Sequence, residues 1–194
     1  MKIYIKNMAC ESCKVVVKDA LEELNLHPTK IELGEVEVKE ELNAEKKKEL
    51  NSIIKKVGLE IIESKGGILI EKIKKYCLEY INSDKTVKMN ISDFLTEKLD
   101  LDYNYLSNAF SEVTSCTIIH YTNLLKMEKA KEMILFEDSN FSEIASKLNF
   151  SSLSAFSTQF KKITGYSPSH FKNLKIKRRK AIQELNKELN NKKQ

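Results

Sequence analysis

Phe141 to Lys172, FSEIASKLNFSSLSAFSTQFKKITGYSPSHFK, is the stretch whose reading decides the fold of this chain. Ile144 and Leu148 stand four apart, as do Phe156 and Phe160, the spacing that lines up apolar side chains on one helical face. Ala145 offers the small surface that two closely crossing helices need. Asn149 falls where the chain must reverse, and asparagine tolerates left-handed backbone better than most residues. Lys161 and Lys162 close the second apolar segment, and Gly165 follows as a stop signal. The pattern predicts helix, tight turn, helix, and then an ending punctuated by Gly and Pro.

Such a layout can place its second helix in a groove of duplex DNA, and the residues carry a resemblance. Ile144, Ala145, Phe150, Ser154, Phe156, Ser157, Phe160, Lys161, Lys162, Gly165, Pro168 and Lys172 occupy matching positions in the second helix-turn-helix of AraC-type transcription regulators. Asn149 stands where that family usually has Gly, and Ala155 where an aromatic is usual. An ordinary helical hairpin with a Phe-rich core is the bland alternative. The resemblance implies a transcription regulator partnered by double-stranded DNA, with RNA polymerase a further candidate partner. It also implies a like unit upstream, and residues 90–116, NISDFLTEKLDLDYNYLSNAFSEVTSC, supply one. Ile91, Phe94, Leu95 and Leu99 form one face, Asp100 marks the turn, and Leu106 and Phe110 face the core from a second helix. This segment resembles the family's first unit, with Leu95 where Ala is usual and Thr114-Ser115-Cys116 where a Gly is usual.

Between the two units a helix is predicted from Ile118 to about Phe136, with Tyr121, Leu125, Met127, Ala130 and Ile134 on its buried side. About 19 residues at ~1.5 Å each make a rod of roughly 28 Å. Successive major-groove faces lie about 34 Å apart, so one rod can set two recognition helices on the same face of a duplex. Those helices are expected from about Asp102 to Glu112 and from about Ser151 to Ile163. Candidate base-facing residues are Tyr103, Asn104, Ser107 and Asn108 in the first, and Ser152, Leu153, Ala155, Thr158 and Gln159 in the second. Neither set holds Arg or Lys; Asn and Gln suit adenine, and Leu and Ala suit the thymine methyl, so A·T-rich half-sites are expected. The bland reading of each polar residue is solvent exposure. Lys161, Lys162, Lys172 and Lys175 are placed for phosphates, which set register rather than sequence.

Composition limits what these segments can be. The net charge of +5 is unevenly spread: residues 1–82 balance 15 basic against 15 acidic, residues 83–171 hold 9 against 11, and residues 172–194 hold 9 against 2. The basic excess therefore lies beside the proposed reader, in the tail, where Lys177, Arg178, Arg179 and Lys180 could add phosphate contacts. No apolar run approaches the ~18 residues that span a bilayer, and the start MKIYIKNMAC is too short and charged for a signal peptide. A cytoplasmic protein without membrane partners is expected, so Cys10, Cys13, Cys77 and Cys116 read as thiols or ligands rather than disulfides. Three histidines outside any nucleophile motif, and five glycines without a phosphate-cradling loop, argue against an enzyme.

Residues 1–64 read differently. Ile3 and Ile5 alternate along a strand; Val16, Val17, Ala20, Leu21 and Leu24 stripe a helix. Ile31 and Leu33, then Val36 and Val38, flank a two-residue hairpin at Gly34-Glu35. Leu50, Ile53, Ile54 and Val57 stripe a second helix ended by Gly58, and Leu59 to Ile62 make a last strand. The order βαββαβ is that of a ferredoxin-like unit. The fold class is thus α+β at the N-terminus followed by an all-α domain of two helix-turn-helix units joined by a long helix. Domain bounds are expected at 1–66, a bridging helix 67–83, the reader 84–175 and a basic tail 176–194.

At the first strand-helix junction, Met8-Ala9-Cys10-Glu11-Ser12-Cys13 resembles the M-x-C-x-x-C loop of heavy-metal-associated domains, with Asn7 where a Gly is usual. Cys10 and Cys13 could hold Cu(I) or another soft metal, the helix N-terminus favouring their thiolates. No cofactor is certain. Inert cysteines on a dimerisation or partner module, and a thiol-disulfide pair, are the other open readings. Ile70, Ile73, Cys77 and Tyr80 stripe the bridging helix, through which, or through the N-terminal domain, a homodimer could form; Cys77 reads as packing. The competing function is a soft-metal carrier or thiol-redox protein whose helical half docks a protein partner.

Overall fold

Ile3 and Ile5 are buried between more exposed Lys2, Tyr4 and Lys6, so β1 (Lys2–Lys6) shows the two-residue period of a strand with one face in a core. The computed structural model describes residues 1–83, 89–136 and 139–174. They fall into two units, residues 1–75 and 76–194, whose boundary lies inside one helix.

In the first unit β1 is followed by α1 (Glu11–Glu23), β2 (Pro28–Glu32), β3 (Glu35–Val38), α2 (Ala44–Lys55) and β4 (Glu60–Ile62). The sheet order is β2-β3-β1-β4, and every neighbouring pair runs antiparallel. Val17, Ala20 and Leu21 of α1 and Leu50 and Ile54 of α2 close over Ile3, Ile5, Val36 and Val38 in one apolar core. The expected stripe overreached at Val57, which is 53% exposed. Helix α2 has already ended: Gly58, at φ +82°, turns the chain, and the Leu59 N–H returns to the Ile54 carbonyl at 3.1 Å. The hairpin also turns one residue earlier than expected. Glu32 pairs with Glu35, so Leu33-Gly34 are the loop, and Gly34 takes the positive φ of +80°. Only the glycine can adopt that angle cheaply, which fixes it at the second loop position.

Helix α3 (Lys65–Asn82) begins in this unit. Its Lys75 pairs with Glu32, its Lys72 ammonium lies 5.7 Å from the Tyr4 ring centre, and Glu71 accepts the Asn7 N–H at 3.1 Å. These partners stand on strands and on the loop after β1, so the polar face of the sheet is engaged as well as the apolar one.

The second unit holds the end of α3, then α4 (Ile91–Leu99), α5 (Tyr103–Thr114), α6 (Ile118–Phe136), α7 (Phe141–Lys147), α8 (Leu153–Thr164) and α9 (Pro168–Asn173). The bounds of α6 agree with the sequence expectation, and Tyr121, Leu125, Met127, Ala130 and Ile134 are all buried. Thr122, Lys126, Glu128 and Lys131 are buried too, so between Tyr121 and Ile134 buried residues fall on every side of α6, while Ile119 and Phe136 near its ends are exposed.

The unit repeats itself at an interval of fifty residues. Asn90 and Asn140 cap α4 and α7, each accepting from the backbone three residues on at 2.9 Å. Leu106 and Phe110 of α5 match Phe156 and Phe160 of α8, all fully buried. Thr114 donates to the Phe110 and Cys116 carbonyls at 2.7 and 3.1 Å; Thr164 donates to those of Phe160 and Tyr166 at the same distances. Phe110 packs on Tyr121 at 5.6 Å, and Phe160 on Phe171 at 5.5 Å. Ser115 (φ +54°) takes the left-handed turn that Gly165 (φ +84°) takes in the second half. The missing glycine of the first half is therefore replaced in conformation, at some backbone cost.

Candidate nucleic-acid interface

Each half presents one helix whose inner face is locked and whose outer face is open. Asp102 and Ser152 cap α5 and α8; Asp102 accepts from the Asn104 and Tyr105 N–H groups, and Ser152 from the Ala155 N–H. At about 100° per residue, buried Leu106, Phe110 and Thr114 fix the inner direction of α5. Opposite them stand Tyr105, Asn108 and Glu112, with Asn104 beside them. The fifty-residue repeat puts Ala155, Thr158, Lys162 and Ser154 in the same places on α8.

The expected base-facing residues distribute unevenly over this geometry. Asn104, Asn108, Ser152, Leu153 and Thr158 are exposed, whereas Tyr103, Ser107, Ala155 and Gln159 are only half-exposed. Tyr103 and Ser107 lie toward the inner side of α5, and burial raises the Tyr103 hydroxyl's pKa. Leu153, in the first turn of α8, is 42% exposed. Ser152 already uses its side-chain oxygen as a cap, at 3.1 Å from the Ala155 nitrogen.

Three outward residues were missed from sequence, the first being Ser154, exposed at the register of Asn104. Tyr105 is 56% exposed at the register of Ala155. Glu112 stands at the register of Lys162, so equivalent places on the two helices carry opposite charge. All three would have followed from taking the face opposite Leu106 and Phe110 at about 100° per residue, or from aligning the chain on itself at an offset of fifty.

Lys161 and Lys162 are in the last turn of α8, Lys161 exposed, and Lys172 is exposed on α9. Lys175 and the basic tail lie outside the described residues. Among the described residues no helix is long and apolar enough to cross a membrane.

The second candidate site is the loop ahead of α1. Cys10 is the N-cap of the helix, Cys13 is buried in its first turn, and their sulfurs are 3.1 Å apart. Asn7, in place of the usual Gly, takes φ +65°, so the loop keeps a glycine-like turn. Its amide donates to the Gly58 carbonyl at 3.1 Å, while its Oδ1 is buried without a partner. Two convergent thiols are soft donors, but at this separation the sulfurs would have to part before an ion could lie in line between them. Among the described residues no group of three or more His, Cys, Asp or Glu could hold a metal, so a tetrahedral site does not fit. Cys77 is wholly buried, its thiol pushed up to about 12 by burial, with the Thr122 hydroxyl 3.6 Å away. It packs rather than reacts.

Comparison with known proteins bears on the helical half. A family profile described as "Helix-turn-helix domain" matches residues 95–174. The Msm operon regulatory protein of Streptococcus mutans is 28% identical over 114 residues, covering 59% of this chain and 39% of that protein. An uncharacterized HTH-type transcriptional regulator of Staphylococcus aureus is 28% identical over 102 residues, 53% of this chain and 13% of its own length. The chain thus spans well under half the length of these curated relatives. Among solved structures, the C-terminal domain of AraT, a response regulator from Geobacillus stearothermophilus, superposes with a TM-score of 0.50 at 24% identity. That match covers 61% of this chain and 92% of the other, and speaks to fold alone.

Proposed function

We propose that this chain, whose residues 95–174 match a helix-turn-helix domain profile, is a cytoplasmic, non-enzymatic transcription regulator of the AraC type. It binds double-stranded DNA with α5 and α8 in two adjacent major-groove segments. The observation that carries this reading is the fifty-residue repeat: two helices with equally locked inner faces and open outer faces, joined by the single, mostly buried helix α6. Asn104, Asn108, Ser154 and Thr158 supply polar groups to base edges, Leu153 and Ala155 apolar contacts, and Lys161, Lys162, Lys172 and Lys175 phosphate contacts. RNA polymerase is a candidate partner of the bound regulator.

The N-terminal unit is read as ferredoxin-like, a reading supported by the strand order β2-β3-β1-β4 with α1 and α2 over one face. We take 1–66 as this domain, 67–83 as the bridge, 84–175 as the reader and 176–194 as a basic tail. A homodimer would form through the N-terminal domain or the bridge. The 3.1 Å approach of the Cys10 and Cys13 sulfurs favours control of the reader by a soft metal or by thiol state. Selection of bound duplexes from a random pool, with and without Cu(I) and reductant, tests both proposals. A recovered A·T-rich site that changes in affinity with either additive supports both. A site indifferent to both removes the sensor, and recovery of no sequence removes the regulator.

A further inference from the structure

Cys10 and Cys13 are alike in chemistry and unlike in setting. Both stand as thiols, with their sulfurs 3.1 Å apart. Cys13, in the first turn of α1, is 8% exposed and belongs to the apolar core with Met8, Val17 and Leu21. Cys10, the N-cap, is half-buried and packs against that core. The loop that carries them is pinned at its entrance. The Asn7 N–H donates to the Glu71 carboxylate and its side-chain amide to the Gly58 carbonyl, both at 3.1 Å. Glu71 is held in turn by Lys74 at 2.9 Å, and both are buried. At the exit, the Cys13 N–H closes onto the Cys10 carbonyl at 3.0 Å.

Distance separates two fates of such a pair. A disulfide holds its sulfurs about 2.05 Å apart, so closure asks for about 1 Å of approach. An ion bound in line by two thiolates, with metal–sulfur bonds of about 2.3 Å, needs them about 4.6 Å apart, so opening asks for about 1.5 Å. Opening must carry Cys13 out of the packed core or pull Cys10 away from the cap of α1. Closing leaves Cys13 in the core and brings the half-buried sulfur to it.

We propose that Cys10 and Cys13 are a thiol–disulfide couple whose oxidant is a small-molecule disulfide, with Cys10 the entry sulfur and Cys13 the resolving one. The inference rests on the thiol-control reading above and narrows it to one reaction. The Cys10 thiolate attacks one sulfur of the small disulfide, forming a mixed disulfide and releasing one small thiolate. The Cys13 thiolate then attacks the Cys10 sulfur, forming the Cys10–Cys13 bond and releasing the second small thiolate. The two cysteines lose two electrons and two protons, and the small disulfide leaves as two thiols. Burial sets the order of events. A disulfide arriving from solvent reaches Cys10, whereas Cys13 meets the sulfur already beside it.

The test equilibrates the full chain with oxidised and reduced glutathione at several ratios, then maps each cysteine by alkylation and peptide mass spectrometry. At the most oxidising ratio, more than about nine-tenths of wild-type chains should carry the Cys10–Cys13 disulfide, because a neighbouring thiolate outruns any from solution. Cys13→Ser should trap glutathione on Cys10. Cys10→Ser should leave Cys13 at least about tenfold slower to react than Cys10 is in Cys13→Ser, a gap that closes in urea as access is equalised. A wild type that accumulates glutathione on Cys10, or stays reduced at every ratio, would overturn the couple. So would equal reactivity of the two single variants in the folded chain. Binding of the selected duplex by the oxidised and reduced chains keeps the two readings apart. A disulfide that forms without changing affinity would overturn thiol control and leave the couple standing. An affinity that responds to Cu(I) in a chain that forms no disulfide would overturn the couple and leave control by a soft metal.

Discussion

Helices α5 and α8 are alike on the inside and unlike on the outside. Behind them stand matched fully buried pairs, Leu106 with Phe110 and Phe156 with Phe160, and the same threonine bond to the turn at 2.7 Å. In front, α5 offers Tyr105, Asn108 and Glu112, and α8 offers Ala155, Thr158 and Lys162. The frame is set by packing, which tolerates few alternatives, whereas the outer face bears no packing constraint and is left to what is bound. On the proposed reading a division of labour is expected: α8, with Lys161 and Lys162, would carry more of the electrostatic attraction, and α5, without a cation, more of the discrimination.

Removing the shared frame should do the most damage. Phe110→Ala and Phe160→Ala should each cost about 3–5 kcal/mol of stability in urea unfolding, as truncation of fully buried aromatics does. Phe160 should sit at the upper end, because it packs on both Phe156 and Phe171, while Phe110 has Tyr121. A negligible loss in one variant alone would mean that the halves are not built alike.

The outer faces should separate next. Tyr105→Ala is expected to weaken binding of the selected duplex by about 1–3 kcal/mol and to relax base preference in one half-site alone. Relaxation in both half-sites, or in neither, would contradict the assignment of α5 to one segment. Exchanging the opposed charges probes the electrostatic attraction more gently. Glu112→Lys should steepen the salt dependence of binding and Lys162→Glu should flatten it, each by a slope of about 0.9 for every phosphate newly neutralised or released. Slopes that do not move in either variant would place both residues away from the DNA backbone.

The smallest effect lies outside the reader. Hydrogen bonds from Lys30 and Lys75 hold the Glu32 carboxyl at about 2, below its ordinary 4.5. A depressed carboxylate stabilises the fold above its unfolded value and loses that contribution as pH falls through the folded one. Stability of the N-terminal unit should therefore decline between pH 4.5 and about 2, less so in Glu32→Gln. Because the carboxylate is substantially exposed, solvent screening keeps the effect small. An acid limb identical in the variant would show that Glu32 contributes nothing to it.

What the sequence disclosed follows the same divide. Periodicity gave α6 its bounds and identified Tyr121, Leu125, Met127 and Ala130 as interior, because burial leaves a repeating mark on the chain. Asp100 and Asn149 announced turns that do take left-handed backbone. The hairpin slipped by one residue because Leu33 and Val36 alternate equally well around either turn, and only the geometry at Gly34 decides. Tyr105 was passed over because nothing in composition distinguishes an outward tyrosine from the half-buried Tyr103 two residues earlier.

Whether the protein is a two-headed reader on one rod can be settled by hydroxyl-radical footprinting of the full chain on its selected duplex. Two protected segments are predicted on one face, centred about one helical turn (~34 Å) apart. Glu112→Lys and Lys162→Glu should alter different segments. A single protected segment, or two segments on opposite faces of the duplex, would contradict the two-headed arrangement.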